Sequence, residues 1–380
     1  MSLLSASAAS VVVRVAFQLL SLLVTILLAR ELGTTAFGAY SFALTVVMFL
    51  ALPCRAGLPQ IVTRETATSL HVSRWPNREG VWRWAVHLTL IVSVIVLAMT
   101  LVVAYTLSRR LPSAIWVLVV SALPLIPALT LTEIHSAAVR GAGRIVSGQV
   151  PELVVRPSVQ LVMLLGVIFI LKPYPLEPLH AVVVYIVAAV TGAITSWVML
   201  CAVRPYSSSA VVPEYRGAEW LVAAAPVGLV NSMHLINTQA DTFLIGMFSG
   251  AQDVGIYRVA AQLSLVVAFG LHATKLIVQP RFATLYWQGK YHALQSNAIR
   301  FARLNLGVAI TAFAFLVTMG RDLLPMAFGA GFDASYVPLL ILAGGHVFGS
   351  LFGASGVLLI MAGYERRFAK FSVLAAVLNV

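Results

Sequence analysis

The residues here that could do chemistry are few, and most are cationic. Arg14, Arg55, Arg156, Arg258 and Lys275 each fall within or at the edge of a long apolar run. A cation placed mid-membrane costs about 2.5–3.5 kcal/mol on insertion scales, so it must face a water-filled cavity, meet a partner or snorkel to the surface. Arginine can fork two hydrogen bonds onto an anion, and lysine supplies a point charge. Arg14, Gln18, Ser21 and Thr25 follow at spacings of four, three and four, which puts one polar face on an otherwise apolar helix. That face lines a cavity, or Arg14 snorkels from the first turn. His272, Lys275 and Gln279 repeat the pattern at three and four residues. Asn231, His234, Thr238 and Asp241 follow at three, four and three, with Asn237 beside them. An acid inside a span is a candidate for a proton or ion path. Pairing of Asp241 with Arg258 is the structural alternative. Glu152 and Arg156, at i and i+4, read as a helical ion pair, and Glu133 as a polar group near the surface.

Nothing in the chain suggests bond-making. It lacks a Walker A string, a Ser–His–Asp order, HExxH and CxxC, and Gly141, Gly143 and Arg144 form only a short turn. Cys54 and Cys201 offer neither a disulfide framework nor a metal cluster. The expectation is a protein that is not an enzyme and needs no cofactor, with proton or sodium coupling left open at Asp241.

The elements that must position these groups are membrane helices. Of 380 residues, 60% are apolar and 10% charged, against about 25% charged in an ordinary soluble domain. Ten apolar segments are long enough to span: 10–29, 38–58, 82–107, 114–133, 150–171, 179–203, 219–248, 254–279, 301–320 and 336–362. An eleventh begins near Phe368. All are too long for barrel strands, so the fold class is all-α, a polytopic helix bundle. Arg14 lies inside the first segment and no basic stretch precedes it, which argues against a cleavable leader.

The net charge of +12 raises nucleic acid as a partner, but loop charge accounts for most of it. Thirteen basic residues follow the even-numbered spans: Arg64, Arg74, Arg78, Arg140, Arg144, Arg204, Arg216, Arg281, Lys290, Arg300, Arg366, Arg367 and Lys370. Five follow the odd ones: Arg30, Arg109, Arg110, Lys172 and Arg321. The bias predicts a cytoplasmic N-terminus. Arg83 and Arg303 can snorkel, and His71, Trp75, Trp82 and Trp84 read as interfacial anchors. Gly345, Gly349 and Gly353 form a doubled GxxxG, read as helix packing.

An internal repeat appears at a constant offset of 217: Gly33, Gly38, Tyr40 and Arg64 match Gly250, Gly255, Tyr257 and Arg281. The offset covers six spans, so the halves are parallel repeats. The predicted domains are a six-helix lobe over 1–203, a cytoplasmic linker over 204–217 and a second lobe over 218–380. By the same offset the second half should close near residue 420, so that lobe is expected to be incomplete, truncated in span eleven.

The stretch ARELGTTAFGAYSFALTVVMFLALPCRAGLPQIVTRETA (29–67) resembles the signature of the Wzx-type polysaccharide-export flippases. They share the MOP superfamily with lipid II flippases and MATE drug exporters. HSAAVRGAGRIVSGQVPELVVRP (135–157) and DTFLIGMFSGAQDVGIYRVAAQL (241–263) carry the same likeness. The resemblance implies two six-helix lobes around a cavity of alternating access. Its cargo would be an undecaprenyl-diphosphate-linked oligosaccharide such as an O-antigen unit. The setting would be the bacterial cytoplasmic (inner) membrane, with a monomer that meets membrane lipids, other polysaccharide-assembly proteins and no nucleic acid. On that reading Arg14, Gln18, Arg55, His272 and Lys275 form a cationic cavity for the diphosphate. Asp241, Asn237 and His234 hold the coupling cation, and sodium would sit between Asp241 and Asn379. A MATE-like exporter of organic cations wants acids in the cavity, where spans one and two offer arginine. An integral glycosyltransferase or O-antigen ligase wants a large external loop, and the longest here, 321–335, is short.

Overall fold

The computed structural model describes residues 3–71, 75–107, 113–171, 174–204 and 212–352, with 355, 358 and 359. It describes side chains for these except 3–8, 70–71, 107, 113–114, 270–277, 279–281 and 283. All regular structure among them is helical. Eight helices are long and apolar enough to cross a membrane. Two further expected spans fall on described helices. Spans one and two run together in α1 (Leu3–Leu50), and span eight lies in α10 (Ala251–Trp287), part of whose side chains falls outside the description. Span eleven and Asn379 lie wholly outside it.

The breaks between helices follow from glycine and proline. In α1 the chain turns at Gly33, with φ 72° and ψ 176°, a conformation closed to residues with a Cβ. Span two then fragments. Pro53 starts the four-residue α2 (Leu52–Arg55), which ends in two left-handed residues, Ala56 (φ 33°) and Gly57 (φ 74°). After them come α3 (Leu58–His71) and α4 (Trp75–Leu107). Span four is the pair α5 (Ser113–Ala122) and α6 (Leu125–Gly141), separated at Leu123–Pro124. Span five opens as a π turn at Pro151–Val155 and continues as α7 (Arg156–Leu171). Then come α8 (Pro178–Cys201), α9 (Gly217–Phe248), α10, α11 (Tyr291–Phe328) and α12 (Tyr336–Leu351).

The chain forms two compact units. The first holds Val12–Val24 and Ala39–Leu244; the second holds Met1–Val11, Thr25–Gly38 and Ile245–Val380. The first is organised around α6, whose Ile134, Ala137, Ala138 and Val139 pack with Leu58, Ile61 and Val62 of α3, Trp82 of α4 and Trp220 of α9. The cytoplasmic-loop charges expected here are partly interior. Arg78 is 2% exposed and lies over the rings of Trp75 and Trp82, at 4.0 and 4.7 Å. Glu79, 4% exposed, binds Arg83 at 2.9 Å and Arg204 at 3.1 Å. Trp82 is no interfacial anchor: it is buried and donates its indole N–H to Thr66 at 2.8 Å. Residues 212–216 carry no regular structure and pass along α4, where Glu214 donates its backbone N–H to the carbonyl of Pro76 at 3.0 Å.

In the second unit, Phe37, Phe328 and Phe332 form an aromatic core with ring separations of 6.2–6.3 Å. The repeat glycines meet here. Gly250 adopts φ 108° and ψ 177°, close to its counterpart Gly33. A Cβ on Gly38 would strike the carbonyl of Ala251, and one on Gly255 would strike the carbonyl of Thr34. The offset of 217 maps Thr34 onto Ala251 and Gly38 onto Gly255, so each half of this contact is the image of the other. The GxxxG expectation on α12 fares differently. A Cβ on Gly345 or Gly349 would meet nothing among the described residues, and the packed face instead carries Leu339, Ala343 and Ser350. Gly353 lies outside the description.

Candidate functional site

Span two is broken at the residue that matters most. Arg55 is the last residue of α2, and the left-handed Ala56–Gly57 step turns the chain away beneath it. Gly228 of α9 fits into that step: a Cβ there would lie 2.7 Å from the carbonyl carbon of Ala56. On the other side, Thr89 of α4 donates its hydroxyl to the carbonyl of buried Cys54 at 3.4 Å. Arg55 is therefore presented by a rigid corner.

Its partner is Glu133 of α6, with Nη2 to Oε1 at 3.1 Å and both side chains little more than a fifth exposed. The same Nη2 lies 3.6 Å from the Met48 sulfur, and the buried Nε has no hydrogen-bond partner among the described residues. Glu133, expected near the surface, instead sits at the centre of a charged cluster. Its carboxylate feels Arg55 most strongly, then Glu152, Arg156 and Arg140. Arg140 lies two helical turns on from Glu133 in α6 and donates to the carbonyl of Gly148 at 3.2 Å. Arg140 in turn feels Arg14 of α1. Gly192 of α8 lets the π turn approach, with Arg156 Cβ 3.6 Å from where a glycine Cβ would stand.

Sequence reasoning named Arg14 and Arg55 as cavity groups but put Arg140 among the loop charges and Arg156 in a pair with Glu152. That pair is not formed among the described residues. Glu152 lies in the π turn between Pro151 and Pro157, where helical hydrogen bonding switches register, and both charges act on the cluster instead. The i, i+7 spacing of Glu133 and Arg140 was the available signal, overlooked because Arg140 looked like a loop residue.

Arg14 is exposed and Gln18 half-buried on α1. Asn231, His234, Asn237 and Thr238 form an exposed polar face of α9, with Asp241 half-buried one turn further on. Thr238 returns its hydroxyl to the carbonyls of His234 and Leu235, at 3.1 and 3.0 Å. His272 and Lys275 lie on α10 in the second unit, and their side chains fall outside the described residues. Among the described residues no three His, Cys, Asp or Glu groups gather to hold a metal.

A model of the polysaccharide biosynthesis protein family matches residues 3–285. The chain belongs to this family. The Wzx-type resemblance is thereby borne out, together with the all-helical polytopic architecture expected of it. No curated protein matches it by sequence. By fold it is similar to an inward-facing multidrug resistance MATE family transporter of the MOP superfamily, with a TM-score of 0.78 at 13% identity, covering 97% of this chain and 88% of that one. It is also similar to a MATE transporter in complex with MaL6 (TM-score 0.66, 13% identity, 97% and 85% covered). A third likeness is to a MOP superfamily transporter from Pyrococcus furiosus whose binding pocket has reverse polarity, suggesting a different function (TM-score 0.62, 13% identity, 97% and 83% covered). These likenesses place the polysaccharide biosynthesis family member in the MATE fold.

Proposed function

We propose that this protein flips an undecaprenyl-diphosphate-linked oligosaccharide from the cytoplasmic to the outer leaflet of a bacterial cytoplasmic membrane. The observation that carries the reading is the charge balance of the cluster. Among the described residues the charges acting on Glu133 are Arg55, Arg140 and Arg156, with Glu152 as the second acid, three cations against two carboxylates. A net positive site with low-dielectric walls attracts an anion and repels an organic cation. A diphosphate brings two or more negative charges and oxygens suited to guanidinium forks. Glu133 then acts as a placeholder, holding Arg55 in position until phosphate oxygens compete for it. The Pyrococcus furiosus MOP superfamily transporter, whose binding pocket has reverse polarity, supports the reading that this fold can carry pockets of differing charge.

On this reading the two lobes, 1–203 and 218–380 joined by 204–217, are parallel repeats. The symmetric Gly38–Gly255 contact supports that arrangement. His272 and Lys275 add to the cationic cavity, and Asp241, with Asn237 and His234, carries a proton or sodium ion. The N-terminus faces the cytoplasm and the protein works as a monomer. The test is complementation of a flippase-null strain with Arg14→Gln, Arg55→Gln and Arg140→Gln, scoring surface glycan at matched membrane levels. Loss of export is expected, most severely for Arg55→Gln. Full export by all three would overturn the cationic-cluster mechanism.

A further inference from the structure

The second unit carries a cationic feature that the transport reading has not used. A groove of about 670 Å3 runs along the start of α11, lined by His292, Gln295, Ser296, Ile299, Arg300, Arg303 and Leu304. These recur at three- and four-residue spacing, so they form one face, and every one of them is exposed. The opposite face is buried through Leu294, Asn305 and Ala309. No Asp or Glu occurs between Asp253 and Asp322, so the arginines of this face have no acid nearby in sequence. Nor do Arg300 and Arg303 form an ion pair among the described residues.

The face changes character along its length. Beyond Arg303 its exposed residues are Leu304, Gly307, Thr311 and Phe315, again at helical spacing. Among the described residues nothing stands within 4 Å of a Cβ on Gly307. A polar, basic head region thus leads directly into an apolar track. That sequence of chemistries matches a phosphate carried on a long hydrocarbon chain, with the guanidinium groups on the phosphate and the chain along the helix. A free phosphate would have no use for the apolar half.

We propose that this face of α11 binds a phosphate-headed lipid. Resting on the transport reading above, the lipid is the polyprenyl diphosphate of the substrate, held here as it loads from the cytoplasmic leaflet. The groove then acts before the Arg55–Glu133 cluster and selects on head charge and chain together. Membrane phospholipid shares the chemistry and is the source to be distinguished.

The test is local. Cys201→Ser removes the accessible native thiol, Cys54 being buried, and a bimane at Gln295→Cys reports on the groove in the full-length protein in detergent. Farnesyl diphosphate, farnesol and dioleoyl phosphatidylglycerol serve as probes. Farnesyl diphosphate should change the emission saturably, and farnesol should not. Arg300→Gln with Arg303→Gln should weaken the diphosphate response by about tenfold or more, as expected when two charge-assisted bonds are lost. Arg300→Lys with Arg303→Lys should retain most of it. An unchanged response in the glutamine variant overturns the site. A response to phosphatidylglycerol as strong as that to farnesyl diphosphate overturns the substrate assignment and makes the occupant bulk lipid. Since binding is read without transport, a protein that binds through α11 but exports no glycan would overturn the transport reading and leave the site standing.

Discussion

The guanidinium of Arg55, at the end of α2, and the carboxylate of Glu133, within α6, meet at 3.1 Å. The pair makes it possible to store a cation inside the membrane. An arginine mid-membrane is costly alone; with a carboxylate partner it is tolerable, and a more highly charged anion can still displace that partner. Two neighbouring arginines, Arg140 and Arg156, act on the same carboxylate, so removing the acid would unbalance more than one residue.

Glu133→Gln should therefore destabilise the protein, by roughly 1–3 kcal/mol for a pair that is mostly but not wholly buried. Arg55→Gln should cost a similar amount. The double variant should cost less than the sum, because neither leaves a lone charge. Thermal unfolding in detergent measures the cycle. Additive losses would mean that the pair is not coupled.

Asp241→Asn should abolish gradient-driven export while leaving the Arg55–Glu133 pair and thermal stability intact, if Asp241 carries the coupling cation. The measurement is surface glycan alongside a melting curve. Export at the parental level would remove Asp241 from the coupling path.

In the buried charge cluster of the first unit, Trp82→Phe keeps most of the ring but loses the N–H bond to Thr66, whose hydroxyl is itself buried. The expected loss is about 1 kcal/mol. Arg78→Ala should cost more, because it strips the cation from over two indole rings and opens space where Arg78 was nearly inaccessible. Denaturant midpoints rank the two; the reverse order would show that the stacking contributes little.

Much of this architecture was legible in the sequence because hydrophobic length and glycine position are local signals. The turn at Gly33 and its image at Gly250 appear as a motif before any coordinates. The six-residue interval between Pro151 and Pro157 is visible too, but that it forms a π turn and parts Glu152 from Arg156 depends on packing against Gly192. Glu133 was misread for the same reason. Nothing local distinguishes an acid at the membrane surface from one that meets an arginine 78 residues earlier in the chain. Loop charge was the most misleading signal: Arg78 and Arg204 fit a topology count equally well whether they face water or, as here, Arg78 lies buried over Trp75 and Trp82 and Arg204 binds Glu79.

Glycine substitutions separate the contacts that position the site from those that only look as though they should. Gly228→Ala would place a methyl 2.7 Å from the Ala56 carbonyl carbon, against backbone already held at φ 33°. Neither chain can yield by side-chain rotation, so α9 must shift or the Ala56–Gly57 step must open, and either change moves Arg55. The expected result is export lowered by tenfold or more, roughly what a displacement of about 1 Å in a positioned group can cost. Gly38→Ala and Gly255→Ala should each be at least as damaging to folding, since each drives a Cβ into backbone across the symmetric contact. Gly345→Ala meets nothing among the described residues and should be neutral or slightly stabilising, as alanine favours the helix over glycine by about 1 kcal/mol. Membrane-level blots and surface glycan for the four variants give the ordering. A Gly345→Ala defect as deep as that of Gly228→Ala would show that the GxxxG face is packed in the working protein and that the Ala56 corner is not the decisive constraint on Arg55.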